Sequence, residues 1–345
     1  MEKKLQQFDN FLKEFSKTSG FSGGVQLIKN SNIIYKNYFG YHDKSINRLL
    51  DDNSLFRFYS FSKPFTALAI LKLMEEGRLS LDDLPKKYLS YANGLDERIT
   101  IKSLLQHTSG LKEVATSEAM SYKWDINLPA IIKELVTMPL DFEPNTSDNY
   151  CNTNYILLGL IVESITKQDI KDYLNAQVFT PLGMKNIIFI TDAENTTNNL
   201  AKGYTKVNNV IQEAGYVNFP LMFTAGSLAG TMEDFTCFAK TIINKTFLKK
   251  ETWQIVFTPS SVGTFGLGCN VANWGGRRAY THTGGYLGFR NLHIYLPDDD
   301  FDILVFGSED FLNGRADISS KVYQIFFEEQ AEDNPTDNAD KGFAS

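Results

Sequence analysis

Along the first seventeen residues Leu5, Phe8, Phe11, Leu12 and Phe15 recur among charged neighbours at a helical spacing, which predicts an amphipathic helix over 2–17. Two strand-like runs follow, Val25–Lys29 and Ile33–Phe39, joined by the turn Asn30-Ser31-Asn32. From about 60 to 230 the pattern is mostly helical. Phe65–Glu76 sets Ala67, Leu68, Leu71 and Met74 on one face and stops at Gly77, a residue suited to the left-handed position after a helix. Asn154–Thr166 is apolar nearly all round and predicts a buried helix. Ile170–Phe179 predicts another, halted by Pro181-Leu182-Gly183. After an amphipathic Met232–Ile243, strand signals return at Phe265–Val271, Arg278–His282, Phe289–Leu296 and Asp302–Phe306, the last two linked by Pro297-Asp298-Asp299-Asp300. Ile318–Phe327 reads as a closing helix. The arrangement predicts one sheet made from both chain ends and covered by terminal helices, with a helical lobe inserted. The expected boundaries are 1–58 and 230–329 for the sheet lobe and 59–229 for the helical lobe. The tail 330–345 is expected to be disordered.

Charge narrows the function. The chain carries −7, of which −5 falls in its last 18 residues, so the body is nearly neutral at −2. A nucleic-acid partner, which needs a basic face, is not expected. Three cysteines without short spacing suit neither a disulfide framework nor a zinc site, and a lone imidazole among four histidines makes no metal centre. The longest apolar run, Ile156 to Val162, is far short of the roughly 20 residues that span a bilayer. No secretory h-region opens the chain as it stands, so a cytoplasmic location is the expectation.

Several short motifs carry possible chemistry, and most are decoys. Gly20-Phe21-Ser22-Gly23-Gly24 matches a nucleophile elbow, but that device needs a strand before it and a helix after it, and here the order is reversed. Ser-x-x-Lys occurs more than once, including at Ser60–Lys63 and Ser164–Lys167. Ser and Lys three apart share a helical face, so an amine can take the hydroxyl proton. Ser60 precedes Pro64 and a long buried helix, where free amides can face an oxyanion; Ser164 sits at a helix end whose dipole disfavours an alkoxide. Tyr-x-Asn recurs along the chain, and only Tyr150-Cys151-Asn152 lies in a polar loop before a buried helix, which Asn152 or Thr153 could cap. Taken alone, Tyr150 is a loop aromatic or a proton shuttle, and Asn152 a cap or a carbonyl holder. His282-Thr283-Gly284-Gly285 ends a strand, and its glycines would let a substrate backbone approach. Gly266-Leu267-Gly268 lacks the third glycine of a dinucleotide fingerprint, so no cofactor is expected. Cys151 reads as packing.

Together and in this order, Ser-x-x-Lys, Tyr-x-Asn and His-Thr-Gly resemble the serine β-lactamase and penicillin-binding-protein superfamily, and within it the class C β-lactamase, DD-peptidase and esterase branch. The flanks agree: Phe39-Gly40-Tyr41, Glu75 to Asp83, Leu104-Leu105-Gln106-His107-Thr108-Ser109-Gly110-Leu111, Pro181-Leu182-Gly183-Met184 and Ala225-Gly226-Ser227. The resemblance spans about residues 20–329. It implies an α+β, β-lactamase/transpeptidase-like fold with an antiparallel sheet, an inserted all-helical lobe and a cleft between them. It also implies that Ser60 is the acylated nucleophile and that Lys63 and Tyr150 share its proton transfers. Asn152 would orient Lys63 and the substrate carbonyl, His282, Thr283, Gly284 and Gly285 would bind substrate, and the amides of Ser60 and Gly285 would hold the oxyanion. His107 belongs to a structural segment. Where many β-lactamases carry Lys-Thr-Gly, this chain has His282, whose reference pKa near 6.5 weakens any hold on a substrate carboxylate and should show in the pH–rate profile. The expectation is a serine hydrolase of small acyl substrates, ester or amide, including D-amino-acid peptides. The alternatives are β-lactamase or DD-peptidase activity, an acyltransferase with the same acyl-enzyme, and a binding domain without turnover.

Overall fold

A computed structural model describes residues 1–123, 125–191 and 197–328; the tail 330–345 lies outside the described residues. Helix α1 (Glu2–Ser19) follows the predicted amphipathic face and ends on Gly20 at φ 80°. Six strands form the main sheet: β1 (Gly23–Lys29), β2 (Asn32–Phe39), β3 (Asn270–Trp274), β4 (Arg277–Tyr286), β5 (Phe289–Leu296) and β6 (Phe301–Gly307). Their order is β3-β4-β5-β6-β1-β2 and every pairing is antiparallel. The two chain ends therefore meet at the β6–β1 seam, where Val25 lies opposite Val305.

Alternation along β6 shows how the sheet separates two cores. Ile303 and Val305 join Phe8, Leu12, Val25, Leu27, Ile318 and Val322 on the outer face, beneath α1 and α6 (Gly314–Phe326). Leu304 and Phe306 point the other way, onto Phe58, Phe61, Phe65 and Phe235 of the helical side. Both faces of β5 and β6 are covered, so these strands read as nearly continuous apolar runs.

Between the two halves of the sheet the chain is mainly helical. The elements that matter here are α2 (Lys63–Glu75), α3 (Asn152–Thr166), α4 (Phe219–Gly226) and α5 (Met232–Asn244). Gly77 follows α2 at φ 71° and closes it as expected. Some expectations shift. The strand predicted at Phe265–Val271 begins only at Asn270, because Gly266-Leu267-Gly268 turns in against α2; a Cβ on Gly268 would lie 2.6 Å from that of Ala67. The regular helix from Ile170 ends at Leu174 and widens over Asn175–Phe179. The last helix begins at Gly314 rather than Ile318. The helical stretch also carries strands without a readable period, namely Phe56–Arg57, Ile188–Phe189 and Leu228–Gly230 in one small sheet, and the hairpin of Tyr204–Val207 with Val210–Glu213. Two to four residues are too few for alternation to register.

Candidate active site

Ser60 lies on a 3₁₀ turn, Tyr59–Ser62, that runs directly into α2. Tyr59 takes φ 48°, a conformation a bulky side chain rarely adopts. Its buried ring, packed among Phe219, Tyr286 and Phe289, and its hydroxyl bond to the Leu287 carbonyl (3.2 Å) hold it there. The strained residue thus stands immediately before the serine.

Lys63 is fully buried one turn below. Its Nζ donates to Asn152 Oδ1 (2.7 Å) and to the Ala225 carbonyl at the end of α4 (2.8 Å), and lies 3.3 Å from Ser60 Oγ. Burial pulls the amine down to about 7, against the opposing pull of the Glu113 carboxylate. A lysine at that value is substantially neutral at physiological pH. Tyr150 Oη donates to Ser60 Oγ at 2.5 Å, and its ring centre lies 4.7 Å from Lys63 Nζ. Burial holds this phenol above its ordinary value, with the Ser60 hydrogen bond opposing, so of the two groups Lys63 gives up its proton at the lower pH. Asn152 does not cap α3. Cys151 occupies the cap position without a side-chain cap bond, Asn152 begins the helix, and its side chain faces Lys63. Cys151 Sγ is buried against the Leu111 and Lys112 carbonyls, as packing.

The other wall is β4. Its neighbour β3 pairs only as far as Thr281, so from His282 onward one edge of β4 is free to face the cleft. A Cβ on Gly284 would sit 2.2 Å from the Phe58 carbonyl and 3.1 Å from the Phe61 amide, so only glycine lets the strand run this close to the Ser60 turn. Thr283 and Gly285 line the cleft with Ser60 and Tyr150. His282 stands behind them, edge-on to Phe61 (6.2 Å), with Nδ1–H donating to the Thr283 carbonyl (2.8 Å). Burial, with Lys63 adding to it, pushes this imidazole down to about 3. An imidazole held that low is neutral around pH 7, so its titration is expected to fall outside the neutral range of a pH–rate profile.

Three contributors, Glu113, Arg290 and Arg315, escaped the sequence, while His107, expected only in a structural segment, packs against Tyr150. Glu113 accepts from both nitrogens of Asn152. Buried His107 stacks on Tyr150 (4.7 Å), and its Nδ1 accepts from the Cys151 amide. Arg290 and Arg315 line the same cleft of about 490 Å³ as Ser60. A single charged residue in a polar segment looks like ordinary solvated surface, and only the quoted Leu104–Leu111 run, two residues upstream of Glu113, marked that neighbourhood. The decoys are accounted for: Ser22 is buried and accepts from the Tyr41 amide, and Ser164 donates to the Tyr88 carbonyl far from this cleft.

Comparison with known proteins bears on the family and the fold. Penicillin-binding protein 4* of Bacillus subtilis (strain 168) is 26% identical over 324 residues, covering 86% of this chain and 70% of that protein. The solved D-amino acid amidase from Ochrobactrum anthropi SV3 superposes with TM-score 0.77 at 20% identity, over 92% of this chain and 98% of its own. EstCE1, a hydrolase with promiscuous acyltransferase activity, superposes with TM-score 0.78 at 21% identity, over 93% of this chain and 98% of its own. With the Beta-lactamase family model matching residues 8–318, the chain belongs to the β-lactamase family and is a serine hydrolase of the β-lactamase and penicillin-binding-protein-like superfamily.

Proposed function

We propose that the protein cleaves small amides or esters bearing a carboxylate, through an acyl-enzyme on Ser60. The observation that carries this reading is the pairing of a buried, near-neutral Lys63 in contact with Ser60 Oγ and two arginines along the same cleft. Ser60 attacks the carbonyl carbon as its proton passes to Lys63 Nζ, and the oxyanion that forms faces the amides of Ser60 and Gly285. Collapse breaks the bond to the leaving amine or alcohol. That group takes the Tyr150 proton, and Lys63 restores it to the phenol. Water then releases the acyl group by the reverse transfers.

Arg290 is spent partly on the Tyr286 and Phe289 carbonyls and Arg315 on the Asn291 carbonyl, and among the described residues neither has a carboxylate within ion-pair distance. Burial and the neighbouring Arg290 both disfavour the charge on Arg315, a cost that a bound anion would relieve. The arginines thus supply the carboxylate hold that His282 lacks. The test is fluorophosphonate labelling with peptide mapping, followed by a panel of neutral p-nitrophenyl esters, D-amino-acid amides, D-Ala-D-Ala peptides and nitrocefin. An adduct on Ser60 and higher kcat/KM for carboxylate-bearing members of the panel support the reading. No adduct on folded protein, or indifference to the carboxylate, rejects it.

A further inference from the structure

We infer that Glu113 is a positioning residue of this site: its carboxylate fixes which face of the Asn152 amide meets Lys63 and thereby aims the lysine lone pair at Ser60. The inference rests on the Ser60–Lys63 reading above. Glu113 Oε2 accepts from the Asn152 backbone N–H (2.7 Å) and from Asn152 Nδ2 (2.9 Å), while Oε1 accepts from the Ala115 amide (2.7 Å). An ionised carboxylate accepts and never donates, so it must take the NH₂ end of the amide. Asn152 Oδ1 is then the only end left to face Lys63, which it does at 2.7 Å.

The consequence is a matter of counting protons. A neutral amine has two N–H bonds and one lone pair. Asn152 Oδ1 and the Ala225 carbonyl are both pure acceptors, so together they take both N–H bonds. The lone pair is left for the third neighbour, Ser60 Oγ. With the amide reversed, an NH₂ would point at Lys63, the lone pair would turn onto it, and Ser60 would lose its base. Glu113 also acts through charge. The groups that face Lys63 are Tyr150 and Cys151 from the loop before α3, Tyr155 from α3, His107, His282 from β4, and Glu113. Of these Glu113 is the carboxylate, and it favours the ammonium form.

The variants Glu113→Gln, Glu113→Ala and Glu113→Asp separate these roles, with kcat/KM for p-nitrophenyl acetate measured against pH and normalised to burst-titrated sites. Glutamine keeps an acceptor and removes the charge, so the acid limb moves down by about one pH unit with the plateau within tenfold of wild type. Alanine frees the amide to turn, and the plateau kcat falls about a hundredfold with KM little changed. Aspartate remains an acceptor only and returns the limb toward its wild-type position. Shared profiles for the Gln and Asp variants, or a loss confined to the number of titratable sites, overturn the proposal, and the Gln–Asp comparison decides it even where the alanine variant does not fold. A wild-type enzyme that takes no label on Ser60 would instead overturn the reading on which it rests.

Discussion

At Lys63 a side chain that would be charged in water is kept inside the protein by three oxygen neighbours and, among the described residues, no direct carboxylate contact. Its folded value, about 7, lies below the 10.5 of a free lysine, and it serves as a base only when neutral. Activity should therefore be low below pH 6, rise through about 7 and level off above it. The His282 imidazole, at about 3, is neutral across that whole range. In a His282→Gln variant the limb near pH 7 should persist even if kcat/KM drops; its disappearance would reassign the limb to the histidine. The arginines make a separate prediction. Arg315→Gln should raise KM for a carboxylate-bearing substrate by roughly 5- to 150-fold while a neutral ester changes little, and the wild-type preference should weaken with salt. Equal effects on both substrates would place Arg315 in the packing of α6 alone.

The contact between β4 and the Ser60 turn is where two elements make one site. Because the two atoms nearest that Cβ, the Phe58 carbonyl oxygen and the Phe61 amide nitrogen, are backbone, they cannot swing aside as a side chain would. Gly284→Ala should cut kcat about a hundredfold with the protein still folded, since a displacement near 1 Å is enough for that loss. Gly215→Ala, where a Cβ meets nothing within 4 Å, is the matched control. Near-wild-type turnover in Gly284→Ala would mean that β4 does not set the cleft width. At the end of β6, burial pushes Glu309 up to about 8, against the Ser22 amide and Lys44, which favour its charge. A carboxyl raised in the folded state binds more protons than the unfolded chain between its ordinary value and about 8, so this group's contribution to stability falls as pH rises through that window. Glu309→Gln retains an acceptor for Ser22 and should gain on the order of 3 kcal/mol at pH 8 but little near pH 4, read from denaturant unfolding.

Across the whole molecule, what was legible in the sequence follows what packing imposes locally. Phe289–Leu296 was delimited to the residue, because both its faces are covered and its turns are marked by Gly288 and Pro297. The Ser60, Tyr150 and His-Thr-Gly segments stood out only as an ordered set, each being cheap alone. Glu113, Arg290 and Arg315 could not be read, since their roles depend on which loops and strands fold onto the cleft and not on local spacing.

The same architecture sets the last prediction. The sheet separates the aromatic layer beneath Ser60 from the outer core under α1 and α6, so damage to the outer core should reach stability without reaching chemistry. Phe8 is fully buried in the outer core, 5.2 Å from Tyr35 and 6.0 Å from Phe326 between ring centres. Truncating it leaves a cavity that α1 can fill only by shifting on the sheet, at a cost of about 3–5 kcal/mol. Phe8→Ala should thus lower Tm by on the order of 10 °C. At 25 °C its turnover per titrated Ser60 and its acid limb near pH 7 should match wild type. A change in either would show that the outer helices help to set the geometry of the cleft through the sheet, and the separation of the two cores would no longer hold.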